Sequence, residues 1–302
     1  MEAGAEMKGS GPDNLTIAVA AGKGGTGKTL IACSLAQALV RKGCAVQVLD
    51  CDVEEPNADI LLRPEIADRE TVSILVPEVN LELCLHCKRC AHACEVAAIA
   101  AIGQAVLTFH DLCSGCGACA FVCPTGAIEE VPLRIGEVAH GTTAEGIAFH
   151  GGRLDVGHQR SGPVTAATKR AQNGAVVTLI DAPPGTACPM QEAVDGSDFC
   201  VLVTEPTPFG LANLREAVAT CRRMDVPCGV VVNRDRDRYA EMDQWLAAES
   251  LPVLLRVPER REIAEAYSRG ETLLSASDEW LDELTDLHEQ IAGLCAPSRK
   301  ER

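Results

Sequence analysis

The sequence predicts an α/β fold, in which a parallel sheet is covered by helices on both faces and a small cysteine-rich α+β domain is inserted. Three observations lead to this prediction. A short apolar strand runs directly into a glycine-rich loop and a helix near the N-terminus. Strands and helices alternate again from residue 176 onward. Between these two parts, eight of the sixteen cysteines form two closely spaced runs.

The first part of the chain has the pattern of one βαβ unit. Residues 15–21 are a short apolar run that predicts a strand, and residues 29–42 follow with helical periodicity. Gly43 predicts the end of this helix, and residues 45–50 predict a second strand. Because strands joined by a helical crossover lie parallel, this unit predicts a parallel sheet.

The same alternation resumes after the cysteines. The predicted strands are 176–181, 199–204, 229–233 and 252–257. The predicted helices are 211–224, 239–249, 259–269 and 278–294. Residues 137–162 are richer in glycine and histidine and predict a hairpin that rejoins the insert to the sheet. The predicted domains are a disordered N-terminus at 1–14, the main domain at 15–77 and 136–302, and the insert at 78–135.

Composition and charge narrow the class of protein. The chain has 302 residues, of which 47% are apolar and only 3% aromatic, so Val, Leu, Ile and Ala must build the core. No apolar run approaches the roughly 20 residues that span a bilayer, and residues 1–14 lack the centre of a secretory signal, which predicts a cytoplasmic protein. A formal charge of −16 disfavours nucleic acid and anionic membranes as partners. It favours a basic protein, or an oxidoreductase with a basic docking face.

The glycine-rich loop is the first candidate site. It reads Gly22-Lys23-Gly24-Gly25-Thr26-Gly27-Lys28-Thr29. The backbone N–H groups of such a loop can approach phosphates closely, Lys28 can reach the terminal phosphates, and the Thr29 hydroxyl can bind Mg²⁺. Strand, loop and helix occur in the required order, which favours an ATP-binding loop over a bare glycine turn.

Lys23 goes beyond the ordinary phosphate-binding pattern. Because Lys23 stands five positions before Lys28, the motif resembles the deviant phosphate-binding loop of the superfamily that includes MinD, ParA, Mrp and the nitrogenase iron protein. In those ATPases the first lysine crosses to the nucleotide of a neighbouring subunit. The resemblance implies an ATPase dimer around two ATP molecules, either a homodimer or a heterodimer with a paralogous ATPase, with both lysines catalytic. The alternative is that Lys23 is a solvated loop lysine.

Three aspartates continue the resemblance. The segment Asp50-Cys51-Asp52 is similar to the Asp-x-Asp of the superfamily's switch I. This implies that Asp50 lies near Mg²⁺ and that Asp52 is catalytic because it orients the attacking water. Asp181, followed by a Pro-Pro-Gly sequence, resembles Walker B and switch II, which implies that Asp181 holds Mg²⁺.

Two later segments resemble the part of the superfamily that binds the base. Asn233-Arg234 is similar to the pair that contacts adenine, and Pro258 lies in a segment similar to the loop that covers the base. Their order along the chain agrees with the other motifs.

The two cysteine runs predict iron–sulfur clusters. Their spacing, Cys-x2-Cys-x2-Cys-x3-Cys, and a reducing compartment both favour metal ligation over disulfides. The runs resemble a bacterial two-cluster ferredoxin, in which three cysteines of one run and the fourth of the other bind each [4Fe-4S] cube. The resemblance implies one cluster on Cys84, Cys87, Cys90 and Cys123, and a second on Cys94, Cys113, Cys116 and Cys119. Paired zinc sites are the alternative.

One position departs from the ferredoxin pattern. Glu95 follows the first run at the place where Pro124 follows the second. We therefore expect a looser turn after Cys94, and we expect the cluster that Cys94 binds to be the more labile one.

From residue 15 to about residue 294, the chain resembles a MinD-type or Mrp-type P-loop ATPase with an inserted ferredoxin domain, which implies ATP, Mg²⁺ and two [4Fe-4S] clusters as cofactors. Three roles stay open. They are metal-cofactor assembly or delivery, ATP-gated electron transfer to a partner oxidoreductase, and spatial positioning as in MinD. The first two imply a redox or metal-cofactor protein as partner. The third is disfavoured because residues 278–294 carry six acids and no Lys or Arg, unlike a membrane-targeting helix.

Cys188 is a further candidate because it lies seven residues after Asp181. A cluster-binding cysteine follows the Walker B aspartate of the nitrogenase iron protein at a similar distance. The resemblance therefore implies a position near the two-fold axis of an ATP-bound dimer. The alternative is a buried structural thiol at the start of a helix.

Overall fold

A computed structural model describes residues 14–175 and 177–299 of the chain. The segment 1–14, predicted to be disordered, lies outside the described residues except for Asn14, and so does Val176, the first residue of a predicted strand. Across the described ranges, no helix combines the length and the apolar character needed to cross a membrane.

Strands and helices alternate along the described chain. The strands are β1 (Leu15–Ala20), β2 (Val46–Asp50), β3 (Glu65–Val79), β4 (Ile99–Ile102), β5 (Ala105–Thr108), β6 (Ile128–Thr142), β7 (Ala148–Leu154), β8 (Val177–Asp181), β9 (Phe199–Thr204), β10 (Cys228–Val232) and β11 (Val253–Arg256). The α-helices are α1 (Lys28–Arg41), α2 (Ala58–Leu62), α3 (Arg89–Ala93), α4 (Ala118–Phe121), α5 (Gly162–Arg170), α6 (Cys188–Val194), α7 (Pro208–Arg223), α8 (Ala240–Ala248), α9 (Arg261–Ser268), α10 (Leu273–Ala276) and α11 (Glu279–Arg299).

Nine strands form one sheet in the order β11-β10-β9-β1-β8-β2-β7-β6-β3. Neighbouring strands from β11 to β7 are parallel, as the sequence predicts. β6 is antiparallel to both β7 and β3, so the prediction of a parallel sheet is wrong at this edge. The β6–β7 pair is the hairpin predicted within residues 137–162.

Both faces of the parallel part are buried, as expected for a sheet covered by helices on each side. Along β1, Ile17 and Val19 pack in the core layer that includes α1 and α11. The alternate residues Ala18 and Ala20 pack in the layer built by α6, α7 and α8. The small aliphatic residues that dominate the composition therefore form two tightly packed layers.

The insert is carried by a long two-stranded ladder. β3 and β6 have 15 residues each and pair from Glu65 with Thr142 to Val79 with Ile128. The segment between Val79 and Ile128 contains both cysteine runs and a separate two-stranded sheet, β4–β5. The ladder continues without a break across the predicted domain boundaries at 77/78 and 135/136. Those boundaries therefore stay a prediction.

The register of the sheet gives the direction of this ladder. Asp50 at the end of β2 is level with Gly151 of β7, which is level with Ala139 of β6 and thus with Arg69 of β3. Val79 lies ten residues further along β3. At the rise of about 3.3 Å per residue in a strand, it stands roughly 33 Å beyond this level. The insert therefore projects from the carboxyl edge of the sheet.

Candidate functional site

The glycine-rich loop connects β1 to α1 and borders a cavity of about 370 Å³. Most of the residues predicted to bind a nucleotide line this cavity, namely Gly24, Gly25, Gly27, Lys28, Thr29, Asp52, Asn233, Arg234 and Pro258. Thr26, which belongs to the loop, is buried, and so are Asp50 and Asp181 at the ends of β2 and β8. These side chains meet because the carboxyl ends of parallel strands share one edge.

Asn233 braces the glycine-rich loop. Its amide Nδ2 donates to the carbonyl of Thr26 at 2.7 Å, and its Oδ1 accepts from the N–H of Arg234 at 2.9 Å. Gly27 has a φ of 97°, and a side chain there would clash with this amide. The predicted contact of Asn233 with adenine stays a prediction, but the residue already has a role in holding the loop.

Lys28, Thr29 and two of the aspartates form a charged cluster under the loop. The Thr29 hydroxyl donates to Asp181 Oδ2 at 2.6 Å, and Lys28 Nζ lies 3.8 Å from Asp52 Oδ2. Burial raises the pKa of Asp181 to about 6, although Lys28 and the Thr29 hydroxyl lower it. Burial also raises the pKa of Asp52 to about 6, again against the effect of Lys28.

Asp50 holds the segment that follows β2. Its Oδ1 accepts from the N–H of Asp52 at 3.2 Å, and its Oδ2 accepts from the N–H groups of Asn57 at 3.2 Å and Ala58 at 3.0 Å. Burial and the nearby charge of Asp181 raise the pKa of Asp50 well above its usual range. Asp50 therefore connects the end of β2 to the segment 52–57 and to the start of α2. That Asp50 lies near a bound Mg²⁺ stays a prediction.

The far wall of the cavity contains residues that the sequence analysis missed. Ile263 and Tyr267 are one helical turn apart on α9, and both line the cavity near Pro258. Their i, i+4 spacing was the available signal. Arg234 lines the same wall, where its guanidinium lies 2.6 Å from Glu205 Oε1.

Lys23 and Cys188 are both exposed. Lys23 lies on the outer side of the glycine-rich loop and does not line the main cavity. Cys188 is the first residue of α6, so the alternative is right about the helix start. It is wrong about burial, because the residue is exposed. Both side chains are accessible to a second chain.

The eight cysteines of the two runs line two small cavities. The first cysteine site contains Cys84, Cys87, Cys90 and Cys123. The second cysteine site contains Cys94, Cys113, Cys116 and Cys119. These are the two sets that the ferredoxin resemblance implies, and their role as cluster ligands stays a prediction. In the described residues, no three His, Cys, Asp or Glu side chains form a group that could hold a metal ion.

The two cysteine sites have the same backbone conformation. Each cysteine of the second run follows its counterpart in the first by 29 residues, which defines the equivalent positions. The N–H of His86 donates to Cys84 Sγ at 3.4 Å, and the N–H of Gly115 donates to Cys113 Sγ at the same distance. Two residues further on, Lys88 and its equivalent Gly117 both have a left-handed backbone conformation, with φ of 63° and 71°. The insert is therefore an internal repeat in structure as well as in cysteine spacing.

The turn after each run is also the same. The N–H of Ala97 donates to the carbonyl of Cys94 at 3.2 Å, and the N–H of Gly126 donates to the carbonyl of Cys123 at 3.4 Å. The expectation that Glu95 loosens the turn is wrong, because this hydrogen bond closes the turn with or without a proline.

Replacing Asp181 with asparagine should stabilise the nucleotide-free protein at alkaline pH. A carboxyl with a folded pKa of about 6, raised from 3.8, destabilises the fold when ionised. The free energy of unfolding is lowered by roughly 3 kcal/mol when the pH is above the folded pKa. This loss disappears as the pH falls from about 6 towards 4. We expect the thermal midpoint of Asp181→Asn to exceed that of the wild type at pH 8, and this difference in midpoint to be smaller at pH 5. Asp237→Asn, at an exposed position, is the control. A difference in midpoint that does not change with pH would contradict the prediction.

Comparison with known proteins agrees with the geometry of the nucleotide cavity. A family model described as the CobQ/CobB/MinD/ParA nucleotide binding domain matches residues 17–273. The protein MJ0579 of Methanocaldococcus jannaschii is 26% identical over 271 residues, which cover 87% of this chain and 93% of that protein. MJ0578 of the same organism is 32% identical over 222 residues, which cover 73% of this chain and 78% of that protein.

A third relative and one solved structure extend this comparison. An iron-sulfur cluster carrier protein of Pseudomonas fragi is 27% identical over 229 residues, which cover 72% of this chain and 59% of that protein. The septum site-determining protein MinD of Pyrococcus horikoshii, solved with Mg-ADP, superposes with a TM-score of 0.56 at 19% identity over 93% of this chain and 98% of that one. This likeness shows the fold. The chain therefore belongs to the CobQ/CobB/MinD/ParA family of nucleotide-binding proteins.

Proposed function

We propose that this protein is an ATPase with two [4Fe-4S] clusters that couples nucleotide-dependent dimerisation to the assembly or delivery of a metal cofactor. The observation that carries the proposal is the placement of the cysteine sites. The ladder that holds them projects from the sheet edge where the glycine-rich loop lies. The nucleotide cavity and the base of this ladder therefore lie along the same edge of the sheet.

A short path of covalent and hydrogen-bonded contacts supports this coupling. Asp52 borders the nucleotide cavity, and its N–H is held by Asp50. Asp50 also holds the N–H of Ala58, the first residue of α2, and β3 begins three residues after α2 ends. A movement of the Asp52 loop on nucleotide binding would pull on α2 and thus on the base of the ladder.

The cysteine sites fit iron–sulfur clusters, although no three of their side chains converge on a single metal ion. Each thiolate of a [4Fe-4S] cube binds a different iron atom, so the four sulfurs stand apart. Each cavity is lined by four thiols, the number of ligands that a [4Fe-4S] cube takes. Backbone N–H groups already donate to Cys84, Cys94 and Cys113, and such donors stabilise the negative charge of a bound cluster. Clusters held there would supply one-electron transfer.

The nucleotide cavity fits ATP and Mg²⁺. Lys28 would neutralise the terminal phosphates, and the N–H groups of the loop would bind them. Thr29 and Asp181 would hold Mg²⁺, since Asp181 Oδ1 is buried and has no hydrogen-bond partner in the described structure. Mg²⁺ neutralises phosphate charge during hydrolysis. Asp52, which points into the cavity beside Lys28, would orient the attacking water.

A second candidate function is ATP-gated electron transfer to a partner oxidoreductase. It is favoured because each cysteine cavity has a complete set of four thiols, which leaves no open position for a cluster that is to be passed on. The relative named as an iron-sulfur cluster carrier protein favours the first candidate. Both require a redox or metal-cofactor protein as partner, and both allow a homodimer or a heterodimer with a paralogous ATPase.

Protein purified without oxygen should contain about eight iron atoms and eight acid-labile sulfides per chain, the content of two cubes. Cys87→Ala should lower both by about half, since one cube loses a ligand, whereas Cys295→Ala should leave them unchanged. Iron and sulfide analysis with the visible spectrum gives the result. Zinc in place of iron would contradict the cluster proposal.

Substitutions in the loop should separate nucleotide binding, dimerisation and hydrolysis. Lys28→Ala should abolish ATP binding, because it removes the cation for the terminal phosphates. Lys23→Ala should retain binding but weaken the dimer that ATP and Mg²⁺ induce, because the exposed Lys23 acts on the partner's nucleotide. Asp52→Ala should bind ATP and hydrolyse it roughly 100-fold more slowly, as for a lost catalytic base.

Equilibrium binding of a fluorescent ATP analogue, sedimentation and phosphate release measure these three properties. Lys42→Ala, at the opposite end of α1, is the matched control. Equal dimerisation of the wild type and Lys23→Ala would remove the case for a dimer in which Lys23 crosses the interface.

The fate of the iron should distinguish the two candidate functions. The protein is loaded with isotopically labelled iron and mixed without oxygen with the cluster-free form of aconitase, with and without ATP. Delivery predicts ATP-dependent transfer of label to aconitase. Electron gating predicts that the label stays on the chain, while ATP changes the rate at which the reduced protein passes electrons to a viologen dye. Lys28→Ala should show no response to ATP in either assay.

A further inference from the structure

The internal repeat of the insert allows the two cysteine sites to be compared position by position. Because the backbone is the same, the two sites differ in the side chains at equivalent positions, and the charged ones among these change the electrostatic environment of one site. Glu82 and Asp111 are equivalent and give each site one nearby acid. Five other positions differ in charge, and four of these line a cysteine cavity or adjoin a cysteine. The fifth, Glu129 at the position of Ala100, does neither.

The first cysteine site has two cations that the second site lacks. Lys88 and Arg89 line the first cavity next to Cys87, and both are exposed. Their equivalents in the second cavity are Gly117 and Ala118. Among the described residues, neither cation forms an ion pair, so their charge is available to the first site.

The second cysteine site has two acids that the first site lacks. Glu95 follows Cys94 directly, whereas Pro124 follows Cys123. Glu130 lines the second cavity, whereas its equivalent Ala101 lines the first. The Glu130 carboxylate lies over the turn of the second run, with Oε1 3.2 Å from the position that a Cβ of Gly117 would take. These four differences, and Glu129 at the position of Ala100, all make the first site more positive than the second.

The two sites also lie at different heights on the ladder. Leu75 and Pro77 line the second cavity, whereas Val79, the last residue of the ladder, lines the first. Arg160, from the segment before α5, donates to the carbonyl of Leu112 at the start of the second run. The second site is thus next to the main domain, and the first is at the tip.

We propose that the first cysteine site has the higher reduction potential, so that a single electron resides at the tip of the insert, away from the nucleotide cavity. An added electron makes a site more negative, which nearby cations favour and nearby acids oppose. Lys88 and Arg89 thus raise the potential of the first site, and Glu95 and Glu130 lower that of the second. This inference rests on the proposed function, since it requires two clusters. It assigns the tip as the place where electrons are exchanged with a partner.

The test is a redox titration of the complete cluster-loaded protein, followed by electron paramagnetic resonance. The wild type should show two resolved midpoint potentials. Lys88→Gly with Arg89→Ala, which gives the first site the residues of the second, should lower only the higher potential. Lys88→Arg with Arg89→Lys should keep the wild-type values. Glu130→Gln should raise only the lower potential, and the distant Lys42→Ala should change neither.

The charge-removing variant is expected to fold, because Lys88 has a left-handed φ of 63° that glycine adopts without strain. A shift of the lower potential in place of the higher, no shift in either, or a single unresolved midpoint in the wild type would each overturn the inference. Iron analysis of the same samples distinguishes a failure of the proposed function from a failure of this inference. Fewer than two clusters per chain would contradict the proposed function, whereas two clusters with unmoved potentials would contradict only this inference.

Discussion

The buried carboxylate of Asp50 connects the two functional parts of this molecule. An ionised carboxylate in an apolar interior is strongly unfavourable unless hydrogen bonds compensate it. Here three backbone N–H groups from residues 52, 57 and 58 provide part of that compensation, and burial still raises the pKa of Asp50. The same bonds fix the loop that carries Asp52 and the start of the short helix that leads into the cysteine ladder. The pairing of β2 with β7, β7 with β6 and β6 with β3 is the second connection between the nucleotide edge and the ladder.

The nucleotide edge concentrates negative charge. Asp50 and Asp181 are neighbours across β2 and β8, and Asp52 lies close to both. Burial raises the pKa of each carboxyl, and the charge of neighbouring acids raises it further, so the nucleotide-free site is electrostatically unfavourable. Lys28 and the Thr29 hydroxyl relieve only part of this. A bound cation would relieve the remainder, which is the usual arrangement of a functional site that is not optimised for stability.

The insert shows how one backbone can be given two electrostatic environments. Its halves share the cysteine spacing, the left-handed turns and the N–H···S bonds, and they differ mainly in charged side chains. The chain as a whole is acidic, which led us to expect a basic partner. The tip of the insert nevertheless presents Lys88 and Arg89, so the net charge of the chain does not describe the local surface at its cysteine sites.

The sequence by itself determined the features that depend on local spacing. The glycine-rich loop, the parallel strands around it and the grouping of eight cysteines into two sets of four could all be predicted, because each is encoded by residues close together in the chain or by one family pattern. Short helices such as α2 and α4 were missed, because four or five residues carry too little periodicity. The strand β3 was missed because its exposed first half, residues 65–71, lacks the alternation of apolar and polar residues that marks a half-buried strand. In β6, residues 131–135 do alternate, and this was the available signal.

Only the tertiary structure decided how distant parts meet. The register from Asp50 through Gly151 and Ala139 to Arg69 sets the direction of the ladder. The contact of Asn233 with the Thr26 carbonyl joins residues 207 positions apart. The carboxylate of Glu130 reaches the second cysteine run by strand pairing. Hydrogen bonding and packing between residues far apart in sequence create these contacts, and no local pattern of residue types encodes them.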